Sequence, residues 1–312
     1  MKNFIDTLST HFLICQEMIE GKGEDSGFEE FNELGGISCV CDGCGGLGAL
    51  SYPMAENKTG AYLASRITGG AVKTWFDDSI ERDCVFDVQS LKQMIFTWLK
   101  SCEARSGSTG IKMKGSMIRP FPTTLACTVA YKQRNRIVTK HIWAGDSRTF
   151  FLTPKGLQQI SEDDIDGEDA LSNISNDGVL TNIVTADGKF ELHEKEIAIN
   201  EPCILFAATD GCFGYLSSPM MFEYLILDAL YKADNIESWK KNICSFIGEF
   251  SEDDYTFSLM AFGYDGFRSM KQTYVDRHDY IGNIAVTFES ATDQEKQRLW
   301  ENYRGVYYGL HE

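Results

Sequence analysis

The sequence predicts an α+β fold in which two antiparallel β-sheets are packed between outer helices. Three observations lead to this prediction: the order of the elements, the short polar turns between successive apolar strands, and two pairs of amphipathic helices. The predicted order is a strand, two helices, a group of strands, two helices and a final strand. Because strands and helices do not alternate one by one, a doubly wound parallel sheet is disfavoured.

The strands are predicted from short apolar runs that are bounded by turn residues. Residues 37–41 form a buried run that ends at Asp42. Residues 123–131 and 137–143 flank a polar turn, as expected of an antiparallel hairpin. The other predicted strands are residues 148–152, 191–199, 202–208 and 255–264.

The helices are predicted where apolar residues recur at steps of three and four. Val88, Leu91, Ile95 and Leu99 show this spacing. The four predicted helices are residues 60–80, 88–102, 219–231 and 236–250.

Other segments are less regular. The first twenty residues carry a rough helical stripe, although strands are also compatible with them, and residues 161–189 are polar and rich in Asp, Asn and Gly. This composition indicates an irregular excursion from the core. Near the end of the chain, residues 281–288 are compatible with a strand and residues 292–303 with a helix.

Length and composition favour one large domain. The 312 residues are 43% hydrophobic and include only six prolines, as in a globular protein. We expect a domain over residues 1–264 and a C-terminal extension, residues 265–312, to which the sequence assigns no role. The ten cysteines stand singly, which is typical of reduced thiols, and neither a signal peptide nor a membrane-spanning run is found. A cytoplasmic protein is therefore expected.

The net charge argues against nucleic acid as a partner. A formal charge of −17 would repel phosphate backbones unless a local basic patch reversed the field. The best basic clusters, residues 112–114 and 132–136, are short, and the second is more simply the turn of a hairpin. No membrane partner is expected either, and the oligomeric state stays open.

Acidic residues stand where apolar runs meet turns. These positions are Asp42-Gly43, Asp146, Asp210-Gly211 and Asp253-Asp254. An Asp-Gly step is most often only a turn, yet carboxylates from several strand ends can converge on hard cations. Oxygen ligands without a histidine-rich group suit Mg²⁺ or Mn²⁺ and argue against a zinc hydrolase. Two such cations can activate a water and neutralise a phosphoryl group during its transfer.

In their order and content these segments, together with Glu24-Asp25, resemble the metal-dependent serine/threonine phosphatases of the protein phosphatase 2C (PPM) family. The resemblance covers roughly residues 20–264. It implies a four-layer α-β-β-α sandwich of two antiparallel sheets flanked by helices, with a phosphatase 2C-like catalytic domain over residues 1–264. It also implies two Mn²⁺ or Mg²⁺ ions as the cofactor.

The resemblance further implies roles for individual residues. Asp42 and Asp210 are the expected catalytic residues, because Asp42 would bridge the two ions and Asp210 would bind one of them. Asp25 would act directly or through a water, and Gly43 would bind through its carbonyl. The implied metal ligands are Asp25, Asp42, Gly43, Asp210 and Asp253.

A third ion is left open. Asp253 is preferred to Asp254 as a ligand because it holds the first position of the pair. Asp146 resembles the family's ligand to a third ion, but Gly214 occupies the position of its partner, so that site is either lost or rebuilt. Glu24 and Asp146 would thus support the other ligands from behind or hold a third ion.

Some positions depart from the family pattern. Cys44 stands where eukaryotic relatives have a His that protonates the leaving group, so solvent would serve instead. The Arg that holds phosphate is missing; Lys22 is the candidate for this contact, and it is more simply a solvated side chain. Cys39, Cys41 and Cys44 resemble half of a zinc cluster, but no second half follows, so buried thiols are predicted.

The predicted function is metal-dependent hydrolysis of phosphoserine and phosphothreonine in proteins, by a water activated at a binuclear metal centre. The expected partner is a phosphorylated protein, and the expected role is in signalling. The missing Arg and His motivate an alternative from a different class: a catalytically silent domain of the same fold that binds a phosphoprotein or a signalling partner.

Overall fold

The computed structural model describes residues 4–106, 119–134, 136–167, 169–175 and 178–310, and within these residues the chain forms two five-stranded sheets with helices on their outer faces. The basic cluster at residues 112–114 lies outside the described residues. The strands are β1 (Leu8–Gln16), β2 (Ser26–Phe31), β3 (Gly35–Cys41), β4 (Ser51–Tyr52), β5 (Lys58–Thr59), β6 (Leu125–Gln133), β7 (Arg136–Ala144), β8 (Arg148–Thr153), β9 (Gly156–Gln159), β10 (His193–Ile199), β11 (Cys203–Ala208) and β12 (Tyr255–Phe262). The helices are α1 (Gly60–Glu81), α2 (Val88–Arg105), α3 (Ala170–Ser175), α4 (Pro219–Lys232), α5 (Ile236–Phe250), α6 (Gly266–Thr273), α7 (Val275–Ser290) and α8 (Asp293–Tyr307).

Both large sheets are antiparallel. One has the strand order β1-β12-β11-β8-β9 and the other β10-β7-β6-β3-β2, while β4 and β5 form a separate small ribbon. The predicted hairpin is confirmed, because β6 and β7 pair directly on either side of the polar turn. The next strand, β8, lies in the other sheet, so consecutive strands are not always neighbours.

The alternation of side chains along each strand explains the layers. In β11, Ile204 and Phe206 belong to the core under helices α4 and α5, whereas Cys203 and Leu205 belong to the core between the two sheets. Helices α1 and α2 cover the outer face of the second sheet. The four-layer α-β-β-α sandwich is thus confirmed.

Capping side chains fix where the helices begin. The Thr59 hydroxyl accepts a hydrogen bond from the backbone amide of Tyr62 at the start of α1 (3.0 Å). Asp87 accepts two such bonds at the start of α2. Asn235 and Ser238 form a capping box at the start of α5. Each cap satisfies amides that a helix leaves without an intrahelical partner.

Two of the less regular segments are settled by the structure. The start of the chain forms strand β1, in which Thr10, Phe12 and Ile14 are buried at every second position. The strand considered for residues 281–288 is wrong, because these residues lie inside helix α7. Ile281, Ala285 and Phe288 are buried at helical spacing, and a short apolar run does not distinguish the two periods.

Residues 266–307 form helices α6, α7 and α8, which pack against the core under α4 and α5. Trp300, Tyr303 and Tyr307 are almost fully buried there. The predicted division after residue 264 falls between β12 and α6, and its status as a domain boundary stays a prediction. Among the described residues, we find no helix with both the length and the apolar character that crossing a bilayer requires.

Candidate metal centre

The acidic side chains meet at one end of the sandwich because of the way the strands are paired. Ser26 and Cys41 are partners in the β2–β3 pair. Asp25, immediately before β2, therefore lies beside Asp42, immediately after β3. The end of the second sheet thus presents two carboxyl groups from different parts of the chain.

The first sheet adds its own acidic residues at the same end. Asp210 follows β11, and Asp253 and Asp254 precede β12, its antiparallel neighbour. Asp146 lies in the turn between β7 and β8. Together these strand ends enclose a cavity of about 360 Å³. Its lining includes Glu24, Asp42, Gly43, Asp146, Asp210 and Asp253.

Two glycines let the backbone approach closely at this end. A Cβ atom on Gly43 would lie 2.7 Å from the carbonyl oxygens of both Ala61 and Glu24. A Cβ atom on Gly211 would overlap the carbonyl oxygen of Asp254. Glycine is therefore required after each of the two aspartates, because a side chain would clash with the backbone where the strand ends converge.

Asp42 is held by two threonines that immediately precede the neighbouring strand, β6. The Thr123 hydroxyl and the Thr124 amide both donate to the Asp42 carbonyl oxygen, at 2.6 and 2.8 Å. The Asp42 amide donates to the Thr124 hydroxyl at 3.1 Å, and this hydroxyl is 2.6 Å from the Ser147 hydroxyl. The backbone of Asp42 is thus fixed, and its carboxyl group is directed into the cavity.

Asp25 is a buried carboxyl group behind Asp42. Its Oδ2 accepts a hydrogen bond of 2.7 Å from the hydroxyl of Thr209, which itself accepts from the Thr256 amide at 2.9 Å. The charge of Asp25 in turn acts on the neighbouring carboxyl group of Asp42. Burial, followed by the charge of Asp210, raises the pKa of Asp25 to about 7.

The other carboxyl groups of the cavity are perturbed in the same direction. Burial and the charges of Asp210 and Asp25 raise the pKa of Asp42 well above its usual range. Burial and Asp210 raise the pKa of Asp146 to about 8. Asp146 Oδ1 is buried and has no hydrogen-bond partner among the described residues. Buried like charges of this kind are costly unless protons or cations neutralise them.

Asp253 and Asp254 have different surroundings. The two oxygens of Asp254 accept the backbone amides of Met18 (2.8 Å) and Glu24 (2.7 Å), so this carboxylate ties two loops together. Asp253 Oδ1 accepts the Asp254 amide at 2.8 Å, and its side chain lines the cavity. Both residues line the cavity, and Asp254 differs from Asp253 in that its oxygens join the loop before β12 to the loop between β1 and β2.

Glu24 is positioned from helix α1. Its backbone carbonyl accepts hydrogen bonds from Ser65 Oγ (2.5 Å) and Arg66 Nη1 (3.1 Å), and Arg66 Nη2 donates to the carbonyl of Gly23 (3.0 Å). Its side chain accepts a hydrogen bond from the Thr59 hydroxyl. Burial raises the pKa of the Glu24 carboxyl group. The sequence does not point to Arg66 as a partner of Glu24, because the two residues are 42 positions apart.

Lys22 and Cys44 occupy less direct positions. Lys22 is exposed in the turn before Gly23 and does not line the acidic cavity, so a phosphate contact through it stays a prediction. Cys44 lines the cavity, and burial followed by the charges of Asp42 and Asp146 raises the pKa of its thiol well above the usual range. A neutral thiol is therefore expected there. Cys39 and Cys41 are buried in the core under α1 and α2, as predicted.

The types of donor atom in the cavity suit divalent cations, whereas their present placement does not. The donors are carboxylate and carbonyl oxygens, which suit Mg²⁺ and Mn²⁺, and the unpartnered Asp146 Oδ1 lacks the neutralising contact that a cation would give. In the part of the chain that the structure describes, however, no group of three or more His, Cys, Asp or Glu side chains is placed so that it could hold a metal ion. Ion binding would therefore have to draw the carboxylates closer together.

Comparison with solved structures shows similarity to bacterial phosphatases. Stp1 from Staphylococcus aureus, described as a serine/threonine phosphatase, aligns over 82% of this chain and 96% of its own, with 18% identity and a TM-score of 0.58. The serine/threonine phosphatase PstP/Ppp of Mycobacterium tuberculosis aligns over 82% and 99%, with 16% identity and a TM-score of 0.55. The PPM Ser-Thr phosphatase MsPP of Mycobacterium smegmatis, solved with cacodylate, aligns over 82% and 100%, with 13% identity and a TM-score of 0.58.

The sequence itself matches no protein-family model and no curated protein. At identities of this level the structural similarity establishes the fold and leaves the activity to be argued from the residues. The fold expected from the resemblance is confirmed: this chain has the fold of the bacterial PPM serine/threonine phosphatases.

Proposed function

We propose that this protein is a divalent-metal-dependent phosphatase that hydrolyses phosphoserine and phosphothreonine in proteins. The supporting observation is the cluster of perturbed carboxyl groups at one end of the sandwich, where Asp42 and Asp146 line the cavity and Asp25 is buried behind Asp42. Burying several carboxyl groups together destabilises a fold, so their presence here favours a functional role. The cluster lies at the strand ends of a fold that solved serine/threonine phosphatases share.

The residues proposed to hold two Mn²⁺ or Mg²⁺ ions are Asp25, Asp42, Gly43, Asp210 and Asp253. The family resemblance gives Asp42 the role of binding both ions, and its carboxyl group lies within the electrostatic influence of Asp210 and Asp25. When bound, the ions would lower the pKa of a water and neutralise the charge of the phosphoryl group. The unpartnered oxygen of Asp146 supports a further, weaker contact with an ion, and Glu24 would act from the rim.

Neighbouring side chains would hold the proposed metal ligands in place. Thr123 and Thr124 would fix the backbone of Asp42, and Thr209 would hold the carboxyl group of Asp25, so that both residues keep their places at the end of the second sheet. Cys44 is a poor acid because its thiol pKa is raised. We therefore propose that solvent protonates the departing seryl or threonyl oxygen.

Phosphopeptide hydrolysis with and without Mn²⁺ tests this proposal. The wild-type protein should release phosphate only with the metal, and Asp42→Asn and Asp210→Asn should each lower kcat/KM by about a hundredfold or more. Glu249→Gln, which changes an exposed carboxylate on α5, is the control and should keep full activity. Turnover that ignores the metal, or full activity in both Asp variants, would overturn the proposal.

A silent phosphoprotein-binding domain remains the second candidate. The observation in its favour is that, among the described residues, no three carboxylates lie close enough together to hold a metal ion. Calorimetric titration with Mn²⁺ separates the two candidates. Binding of Mn²⁺ and of phosphopeptides without turnover on a broad panel would favour the silent domain, whereas turnover with Mn²⁺ would exclude it.

A further inference from the structure

Helix α8 reaches the acidic centre through a buried chain of hydrogen bonds. The Tyr307 hydroxyl donates to Gln159 Oε1 at 2.8 Å and accepts from Arg148 Nη1 at 3.5 Å. Gln159 Nε2 donates to Asp163 Oδ1 at 2.8 Å. These side chains are almost completely buried, so each bond is made in a region where water cannot replace it.

Arg148 is the centre of this network. Its Nε and Nη2 donate to the two oxygens of Asp163, at 2.9 and 2.6 Å, in a bidentate pair. Its guanidinium also lies 4.1 Å from the ring centroid of Phe213, in the segment that follows Asp210. Because Arg148 stands two residues after Asp146, it connects the Asp146 turn with the Asp210 turn.

The residues that follow Asp163 bind the Asp146 turn from its other side. Asp164 Oδ2 accepts the Gly145 amide at 3.0 Å, and the Asp164 amide donates to the Gly145 carbonyl at 3.0 Å. Helix α8 holds this segment again further along, since Trp300 Nε1 donates to Asp169 Oδ2 at 2.7 Å. The Asp146 turn is therefore supported on one side by Ser147 and Thr124, and on the other by α8.

We propose that α8 supports the metal centre from behind, and that Tyr307 is a positioning residue which fixes the Asp146 turn through Arg148. The proposal rests on the proposed function in so far as it concerns the metal. It gives residues 293–307 a role that their place after the last core strand does not suggest. Truncation before α8 would not test it, because this would also uncover the apolar core under the helix.

Tyr307→Phe and Tyr303→Phe form a matched pair of variants. Both tyrosines are buried in α8, and each hydroxyl is bonded to a buried network. Tyr303, however, donates to Glu223 Oε2 at 2.7 Å, in the Glu223–Arg277 ion pair between α4 and α7. Tyr303→Phe therefore reports the general cost of losing a buried hydroxyl from this helix.

Amide hydrogen exchange of the full-length, metal-free protein is the deciding measurement. Tyr307→Phe should speed the exchange of the Gly145 and Asp164 amides by about tenfold relative to Tyr303→Phe at matched global stability. Equal exchange in the two variants at these amides would overturn the positioning role. This readout needs neither metal nor turnover.

Calorimetric titration with Mn²⁺ then tests the link to the metal. Tyr307→Phe should bind Mn²⁺ about tenfold more weakly than the wild type, as expected when a partner of a ligand-bearing turn is lost, and Tyr303→Phe should bind it like the wild type. Unchanged affinity in Tyr307→Phe would refute the link. If the wild type binds no Mn²⁺ and has no activity, the proposed function and this link fail together, and the exchange comparison still decides whether Tyr307 positions the turn.

Discussion

Asp25 and Asp42 lie side by side at the end of the β2–β3 pair, where the charge of Asp25 helps to raise the pKa of Asp42. Because ionisation of both buried carboxyl groups is costly, protonation is favoured at this end of the sheet. Protons and divalent cations therefore compete for the same oxygen atoms. This competition links the stability of the metal-free protein to the chemistry of the site.

Replacement of one buried carboxyl group should stabilise the metal-free protein. A pKa of Asp25 near 7 corresponds to a cost on the order of 4 kcal/mol when the group is ionised at pH 8. Asp25→Asn removes this charge, so its free energy of unfolding in EDTA at pH 8 should be higher than that of the wild type by roughly 1–4 kcal/mol.

Urea unfolding at pH 8 measures this difference, with Glu249→Gln as a control for the loss of an exposed carboxylate. The same Asp25→Asn variant should gain less stability from added Mn²⁺ than the wild type. A variant that is less stable than the wild type in EDTA would show that the cluster is not a source of repulsion.

The pH dependence of the metal-free protein follows from the same groups. The folded-state pKa values of Asp25 and Asp146, about 7 and about 8, lie above the unfolded values. Their contribution to stability is complete below pH 4 or so and is lost as the pH rises through 7 and 8. The melting temperature in EDTA should therefore fall as the pH rises from about 5 to about 8 and level off above that.

Calorimetric melting with saturating Mn²⁺ is the comparison, because cations need deprotonated carboxylates and should remove most of this fall. A melting temperature that stays level or rises in EDTA over this range would contradict the raised pKa values of the two carboxyl groups.

Much of the site could be predicted because its signals are local. An apolar run that breaks at Asp42-Gly43 or at Asp210-Gly211 identifies a strand end with a carboxylate, and the structure brings both to one cavity. The partners of these groups could not be predicted. Thr209 bonds to Asp25 across 184 positions, and a lone threonine hydroxyl has no pattern that a sequence reveals.

The fold shows the same division between local and distant information. Alternation and helical spacing predicted the layers, since burial of one face imposes a period on each element. Residues 281–288 were misleading because Ile281, Ile284 and Val286 also suit a strand, and packing against the core decided for a helix. The network between Arg148 and Tyr307 joins residues whose types carry no such signal.

Protonation of His141 should contribute to the loss of stability of the folded protein at low pH. It is fully buried between the hydroxyls of Thr128 and Thr139, each 3.1 Å from a ring nitrogen, and burial lowers its pKa to about 3. A lowered folded-state pKa means that its contribution is complete above pH 6.5 and is lost as the pH falls toward 3. His141→Gln should therefore show a shallower loss of unfolding free energy between pH 6.5 and 4 than the wild type.

Urea titrations at these two pH values give the slope for each protein. His11→Gln is the control, because His11 is exposed and contacts Glu29 at the surface. Equal slopes for His141→Gln and the wild type would mean that His141 does not resist protonation.

The ion pair between Glu223 and Arg277 should be a strong attachment for helix α7. Arg277 donates to both oxygens of the fully buried Glu223, at 2.6 and 2.8 Å. Arg277→Met leaves the carboxylate without its counterion and should lower the free energy of unfolding by about 3–5 kcal/mol. The double variant Glu223→Leu/Arg277→Met should recover most of this loss, which denaturant titration of the three proteins measures. A double variant as unstable as the single one would argue against charge burial as the cause.

Arg66 should be needed for the loop that carries Glu24 and Asp25. It donates to the carbonyl oxygens of Gly23 and Glu24 and lies 3.5 Å from the ring centroid of Tyr62. Arg66→Met removes the donor of the Gly23 carbonyl and leaves Ser65 as the donor to the Glu24 carbonyl, at a cost of about 1–3 kcal/mol, and should raise the Mn²⁺ concentration for half-maximal activity several-fold.

Lys73→Met is the matched control, because Lys73 is an exposed cation on the same helix whose partner is Glu30. It should leave the metal dependence unchanged. Arg66→Lys should fall between the two, since a lysine can reach one carbonyl but lacks the fork that holds both. If Arg66→Met and Lys73→Met have the same metal dependence, helix α1 does not position the Glu24 loop through Arg66.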